Sequence, residues 1–184
     1  LEKIKNEFGE KITKIVDGLT KIGKLNTKGY SDVSIQAENY RKMLLTLNED
    51  VRVIIIKIAD RLHNMQTLSS MPYEKQIQKA SETLYIYAPL AHRIGLYNIK
   101  TELEDLGLKY TDPDTYNEIS EKLIESKKDQ DKYIKKFNSI ISSTLTKEKL
   151  KYIIKGRTKS IFSINNKMIR QGISFEEVYD KFAV

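Results

Sequence analysis

The segment ADRLHNMQTL, residues 59–68, carries five polar or charged side chains that stand out: Asp60, Arg61, His63, Asn64 and Thr67. It follows directly on the apolar run VRVIIIKI. On a helix, Asp60, Asn64, Thr67 and Met71 fall at i, i+4, i+7 and i+11, which is one stripe. A carboxylate there could give a hard oxygen to a metal ion, and the carboxamide and hydroxyl could hydrogen-bond a phosphorylated ligand. The same spacing also suits a polar seam or a set of helix-end caps between packed helices.

A second group lies in GRTKSIFSINNKM, residues 156–168. Arg157 can stack on a base or fork onto phosphate. Lys159 and Lys167 are point charges, and Ser163 is a donor one helical turn before Lys167. Together they could cradle a phosphate, or form a solvated basic surface. Asp180 follows a short helical pattern; alone, it reads as a cap or a turn.

The chain that must position these groups has 184 residues, enough for one ordinary domain or two small ones. Hydrophobic residues make up 40% and charged residues 31%, a soluble, globular balance. The net charge of +7 favours anionic partners, although a lysine-rich composition alone produces the same sign. There is no cysteine, which excludes disulfides and thiolate metal sites and suits a reducing cytoplasm. No stretch approaches the roughly 18 apolar residues of a membrane span. The opening LEKIKNEFGEKITKIV is already helical in period, so no signal peptide is read there, and the missing initiator Met suggests an internal fragment.

Leu1, Ile4, Phe8, Ile12, Ile15, Leu19 and Ile22 recur at helical spacing and predict one amphipathic helix over 1–24. Residues 25–34 read as a loop, and 35–48 and 50–69 as two helices. The second is apolar nearly all round from Val51 to Ala59, which predicts a central place in a bundle. A buried strand is the rival reading of VRVIIIKI. Pro72 suits the first turn of a helix running to about Tyr87. Pro89 lacks a backbone donor and predicts a break or kink. Asp112 and Pro113 predict the capped start of one long helix. KLKYIIKG reads as β-like, TKSIFSINNKMIRQ as a helix stopped by Gly172, SFEE as a capping box, and YDKFAV as the beginning of a strand.

Several long words occur in order: DGLTKIGKL, QAENYRKMLL, VRVIIIKIADRLHNMQTL, ETLYIYAPLAHRIGLYNIKTELEDL, and GRTKSIFSINNKM followed by FEEVYDKFAV. Together they resemble the RelA/SpoT family of bifunctional (p)ppGpp synthetase/hydrolases, over essentially the whole chain. The resemblance implies a mainly α fold. It comprises the remnant of an HD-type helical bundle over 1–75, a helical connector over 76–111, and over 112–184 the truncated start of an α+β, nucleotidyltransferase-like synthetase domain. It implies that Asp60 is a ligand of the hydrolase Mn²⁺. Asn64, Thr67 and Met71 would then line the guanine-nucleotide pocket. It further implies that Arg157, Lys159, Ser163 and Lys167 bind ATP, and that Asp180 holds the synthetase Mg²⁺ and is catalytic there. The family's early His, its His-Asp pair and the acidic pair after it have no counterpart here, and neither His63 nor His92 matches them. Thr158, where the family usually has Pro, and Asn165 depart from its pattern at positions that leave the ATP contacts intact.

The resulting expectation is a piece of a cytoplasmic stringent-response enzyme, with both active sites incomplete and the isolated chain inactive. Its ligands would be ATP, GDP or GTP, and (p)ppGpp, with the ribosome or regulatory domains acting through other parts of the parent. Neither a membrane nor direct nucleic-acid binding is expected. Two other readings stand beside it: a basic helical module that binds nucleic acid without catalysis, and a regulatory connector between domains.

Overall fold

A computed structural model describes residues 1–23, 41, 50–154 and 157–183. The loop expected at 25–34 and the helix expected at 35–48 lie outside the described residues, apart from Arg41. The chain divides into two compact units, Leu1–Thr111 and Asp112–Val184. The fold is mainly α, as the periodicity predicts.

In the first unit, α1 spans Glu2–Gly23. The backbone leaves the helical region at Gly9 (φ 81°, ψ 172°), so the expected single helix is two helical stretches. A left-handed φ favours glycine because it has no Cβ to clash. Beyond that kink, Ile15, Leu19 and Ile22 pack into the core, while Phe8 and Ile12 are exposed.

Helix α2 spans Val51–Gln66, and Asp50 caps it by accepting a hydrogen bond from the Arg52 N–H at 3.0 Å. The run VRVIIIKI is therefore helical. It is not buried all round: Val53, Ile54 and Ile58 are in the core, while Val51, Ile55 and Ile56 are exposed. Among the described residues, the stripe through Val53, Ile54, Ile58, Arg61 and Met65 is buried and Leu62 packs beside it, so the helix buries part of its circumference and not all of it. A 3₁₀ turn, Leu68–Ser70, follows.

Pro72 caps α3 (Tyr73–Glu82) from just outside the helix rather than within its first turn. The chain then passes without a break through a π segment, Thr83–Tyr87, into α4, Ala88–Arg93. Pro89 therefore does not break the helix. The widened turn just before it, in which the Ala88 N–H reaches back five residues to the Thr83 carbonyl, accommodates a ring that has no donor. Helix α5 spans Tyr97–Thr111. It approaches the π segment closely: a Cβ on Gly107 would lie 2.5 Å from the Leu84 side chain. Met65, Leu68, Ile86, Leu90 and Leu103 complete this core.

In the second unit, α6 runs over Pro113–Lys147 from an Asp112 cap that accepts from the Thr115 N–H at 3.2 Å. Residues 151–154 of the β-like stretch form no strand, and Ile153 is 84% exposed. β-branched composition gives a strand only where a partner pairs with it. Pairing comes just afterwards, between β1 (Arg157–Thr158) and β2 (Phe182–Ala183), which are antiparallel with Arg157 opposite Ala183. Helix α7, Ile161–Gln171, ends at Gly172 as expected. SFEE makes half of its capping box, the Ser174 N–H donating to Glu177 Oε2 at 2.8 Å, but over a turn and not a helix. Ile119, Ile164, Phe175 and Val178 form a separate small core.

Candidate functional site

The end of α2 and the turn after it present Asp60, Asn64, Thr67 and Met71, all exposed. The Asn64 Nδ2–H donates to Asp60 Oδ1, and Lys57 Nζ lies 3.4 Å from Asp60 Oδ2. Thr67 closes the helix, with both its N–H and its hydroxyl donating to the His63 carbonyl. That hydroxyl still has a free lone pair for a ligand. Met71, where the 3₁₀ turn ends, adds an apolar surface. His63 is exposed, and His92 packs edge-on against the Tyr97 ring at 5.5 Å between centroids.

Beside this stripe, about 100° round α2, lies a buried ion pair. Arg61 is buried, with Nη2 2.9 Å from Glu82 Oε2 and its guanidinium carbon 4.1 Å from the centre of the Tyr87 ring. Burial works against the guanidinium charge, but Tyr87 and Glu82 outweigh it, leaving the Arg61 pKa above its ordinary value. Burial also raises that of the Tyr87 hydroxyl, against the opposing pull of Arg61. The π segment makes the cage possible. Residues i and i+5 diverge by about 140° on an α-helix, and a wider turn brings Glu82 and Tyr87 toward one side. Neither partner of Arg61 is anticipated from sequence. The signal is an arginine in register with Ile54 and Ile58, since a charge on a buried stripe requires a partner.

In the second unit, three of the expected residues converge. Lys159 Nζ lies 2.7 Å from Asp180 Oδ2, and Lys167 Nζ lies 2.6 Å from Asp180 Oδ1. Lys159 sits just past β1, where its N–H donates to the Lys181 carbonyl at 2.8 Å and extends the ladder by one bond. Lys167 projects from α7, and Asp180 from the turn before β2. Hydrogen bonds from the two ammonium groups, Lys159 first, hold the Asp180 pKa down to about 2. Ser163 is in the first turn of α7, and its N–H donates to Ser160 Oγ at 3.2 Å. The Ser160 hydroxyl donates in turn to Ser163 Oγ at 2.9 Å, which leaves the Ser163 proton free to meet an anion. Arg157 is placed by its backbone on β1.

Sequence reasoning misses Ser160 as a cap, although a serine directly before an apolar helical run is the usual signal. It also misses Lys181. The Lys181 ammonium lies 4.4 Å from the centre of the Phe175 ring and donates to the Phe175 carbonyl at 3.0 Å, tying the Asp180 turn to the core. Asn165 is buried, so this departure from the family pattern lies inside the unit and not on the cradle.

Residues 1–97 match the family model described as HD domain. The chain belongs to the HD domain family. Relatives extend the likeness well past residue 97. It is 44% identical to the GTP pyrophosphokinase of Myxococcus xanthus over 183 residues, 99% of this chain and 24% of that protein. It is also 44% identical to the guanosine-3′,5′-bis(diphosphate) 3′-pyrophosphohydrolase of Aquifex aeolicus, over 100% of this chain and 26% of that protein. With the GTP pyrophosphokinase rsh of Brucella ovis the identity is 41%, over 98% of this chain. The RelA/SpoT resemblance is thereby shown. The chain spans about a quarter of the length of these curated relatives.

Relatives of these two kinds imply a divalent metal. Asp60 and Asp180 both fit such an ion as single ligands: each is an exposed carboxylate, a hard oxygen donor. Among the described residues, no three His, Cys, Asp or Glu side chains converge as a metal cluster. No described helix is long and apolar enough to cross a membrane.

Proposed function

We propose that the chain serves both directions of (p)ppGpp metabolism in the cytoplasm. The first unit contributes to removal of the 3′-pyrophosphate from (p)ppGpp. The second contributes to transfer of pyrophosphate from ATP to the 3′-OH of GDP or GTP. In this reading 1–75 belongs to the HD-type hydrolase domain, 76–111 to a connector and 112–184 to the synthetase domain. The relatives named for synthesis and for hydrolysis support both halves. The observation that carries the synthetic half is the convergence of Lys159 and Lys167 on Asp180 beside the first turn of α7.

Each residue has a defined task. Lys159 and Lys167 bind the polyphosphate oxygens as point charges, and Ser163 donates a hydrogen bond to one of them. Arg157 covers the adenine or a phosphate. Asp180 holds Mg²⁺, which when bound offsets negative charge on the pyrophosphoryl group. In the first unit Asp60 holds Mn²⁺, and Asn64, Thr67 and Met71 seat the guanine nucleotide. The ribosome or regulatory domains would act on these sites through the longer protein.

Titration of ATP into the 184-residue chain tests the cradle. Lys159→Ala and Lys167→Ala should each weaken binding about tenfold, and Arg157→Ala likewise. Lys147→Ala, an exposed charge in the last turn of α6, should leave it unchanged. Equal losses at all four positions would mean a non-specific basic surface.

A further inference from the structure

The turn that carries Thr67 and Met71 is held by few backbone bonds. Leu68–Ser70 is a single 3₁₀ turn, a geometry with poorer hydrogen bonds than an α-helix. The Ser70 N–H donates to the Thr67 carbonyl at 3.3 Å and the Met71 N–H to the Leu68 carbonyl at 3.0 Å. Met71 leaves the turn extended, and Pro72 after it has no N–H to give. Leu68 is buried and roots one end in the core. A side chain holds the other end. Gln76, at the end of the first turn of α3, reaches back over Pro72. Its Nε2–H donates to the Met71 carbonyl at 2.7 Å and, more weakly, to the Ser69 carbonyl at 3.4 Å. We infer that Gln76 is a positioning residue for the nucleotide pocket of the first unit: its carboxamide fixes Met71 where a guanine nucleotide packs against it, and so sets nucleotide affinity and not the rate of the chemical step. This rests on the reading of Met71 as a wall of that pocket.

The Gln76 N–H donates to the Pro72 carbonyl at 3.0 Å, which fixes the point from which its side chain springs. The side chain then closes a ring from residue 76 back to residue 71. A carboxamide nitrogen carries two hydrogens, enough for both carbonyls, and those carbonyls settle which way the amide points, since its own oxygen would repel them. Tyr73, Glu74 and Lys75 are exposed, whereas Gln76 is half-buried, as a side chain folded over the turn must be. Methionine is unbranched and flexible, so the backbone that carries it is what the fold can fix. Met71 is 42% exposed, which leaves it open to a ligand. Ser70 steadies the start of the same turn, its hydroxyl donating to the Thr67 carbonyl at 2.9 Å. Without the carboxamide, residues 69–72 regain conformational freedom that a bound nucleotide must remove, and affinity falls accordingly. Asp60 and Asn64 lie on α2, before the turn, where the helix ladder holds them independently of Gln76. The chemistry they serve is therefore spared.

The test is steady-state hydrolysis of ppGpp with Mn²⁺ by the full-length enzyme, using wild type, Gln76→Met, Gln76→Ala, Met71→Ala and the double variant Gln76→Met with Met71→Ala. Methionine matches glutamine in length without adding charge, and alanine adds no bulk. Circular dichroism checks that each variant keeps its helix content. Met71→Ala should raise KM by roughly three- to tenfold, through lost apolar contact. Each Gln76 variant should raise KM by a similar factor, about the worth of one hydrogen bond, with kcat within about twofold of wild type. The double variant should be little worse than Met71→Ala, because a residue that acts through Met71 then has nothing left to position. Unchanged KM in both Gln76 variants, beside a raised KM in Met71→Ala, would overturn the inference and leave the pocket standing. So would a fall in kcat at constant KM, a double variant whose KM rises by the product of the single factors, or loss of helix content in both Gln76 variants. If Met71→Ala leaves KM unchanged, the reading of Met71 as a pocket wall fails, and the inference with it.

Discussion

Asp180 is the residue on which the second unit's chemistry turns. Its two lysine partners hold its pKa at about 2, well below the ordinary aspartate value. A depressed carboxylate favours folding above the unfolded pKa, and that contribution is lost as pH falls through the folded value. Here the window runs from about pH 4 down to about pH 2. The side chain is half exposed, so the effect on global stability is small and the local titration is the better readout. Carboxyl NMR should find Asp180 titrating near pH 2, and Lys159→Met or Lys167→Met should each move it upward. An ordinary aspartate titration in the wild type would contradict the triad. Lys159, Ser163 and Lys167 are legible in the sequence because their types and spacing fit a phosphate site, whereas Asp180, which alone reads as a cap or a turn, enters only through the family resemblance. That both lysines close on Asp180 is not legible, because their contact spans the fold, 21 residues apart for one pair and 13 for the other.

At the scale of elements, the sequence reads well where a signal is local. Asp112 and Pro113 start α6 and Gly172 ends α7, because caps and stops depend on adjacent residues. It reads poorly where partners decide. Residues 151–154 look like a strand but pair with nothing among the described residues, and the response to Pro89 is a π segment and not a break. That segment brings Glu82 and Tyr87 to Arg61, so the cage should be cooperative. Glu82→Leu alone should cost about 3–5 kcal/mol, since it leaves the buried Arg61 charge without its carboxylate, and Arg61→Leu should cost less, since Lys79 Nζ still lies 3.6 Å from Glu82 Oε2. The double variant should cost less than the sum of the two. Urea denaturation monitored by circular dichroism checks this, and simple additivity would show that the pair is not a unit. The close approach of α5 to Leu84 makes a second demand. Gly107→Val should destabilise by roughly 1–3 kcal/mol, read from the same denaturation curves.

Across the whole molecule, one chain carries two sets of polar groups in two compact units, each with its own core. The net charge of +7 suits anionic nucleotides at both. On the proposed reading, Asp60 and Asp180 serve different reactions with different ions. The decisive assay follows (p)ppGpp hydrolysis with Mn²⁺, and its synthesis from ATP and GDP with Mg²⁺, in the full-length enzyme. Asp60→Asn keeps the side-chain shape but removes an anionic ligand. Hydrolysis should fall by about a hundredfold or more while synthesis persists. Asp180→Asn should lower synthesis to a similar degree and spare hydrolysis. If either substitution abolishes both activities while circular dichroism shows an intact fold, the two-site assignment is contradicted.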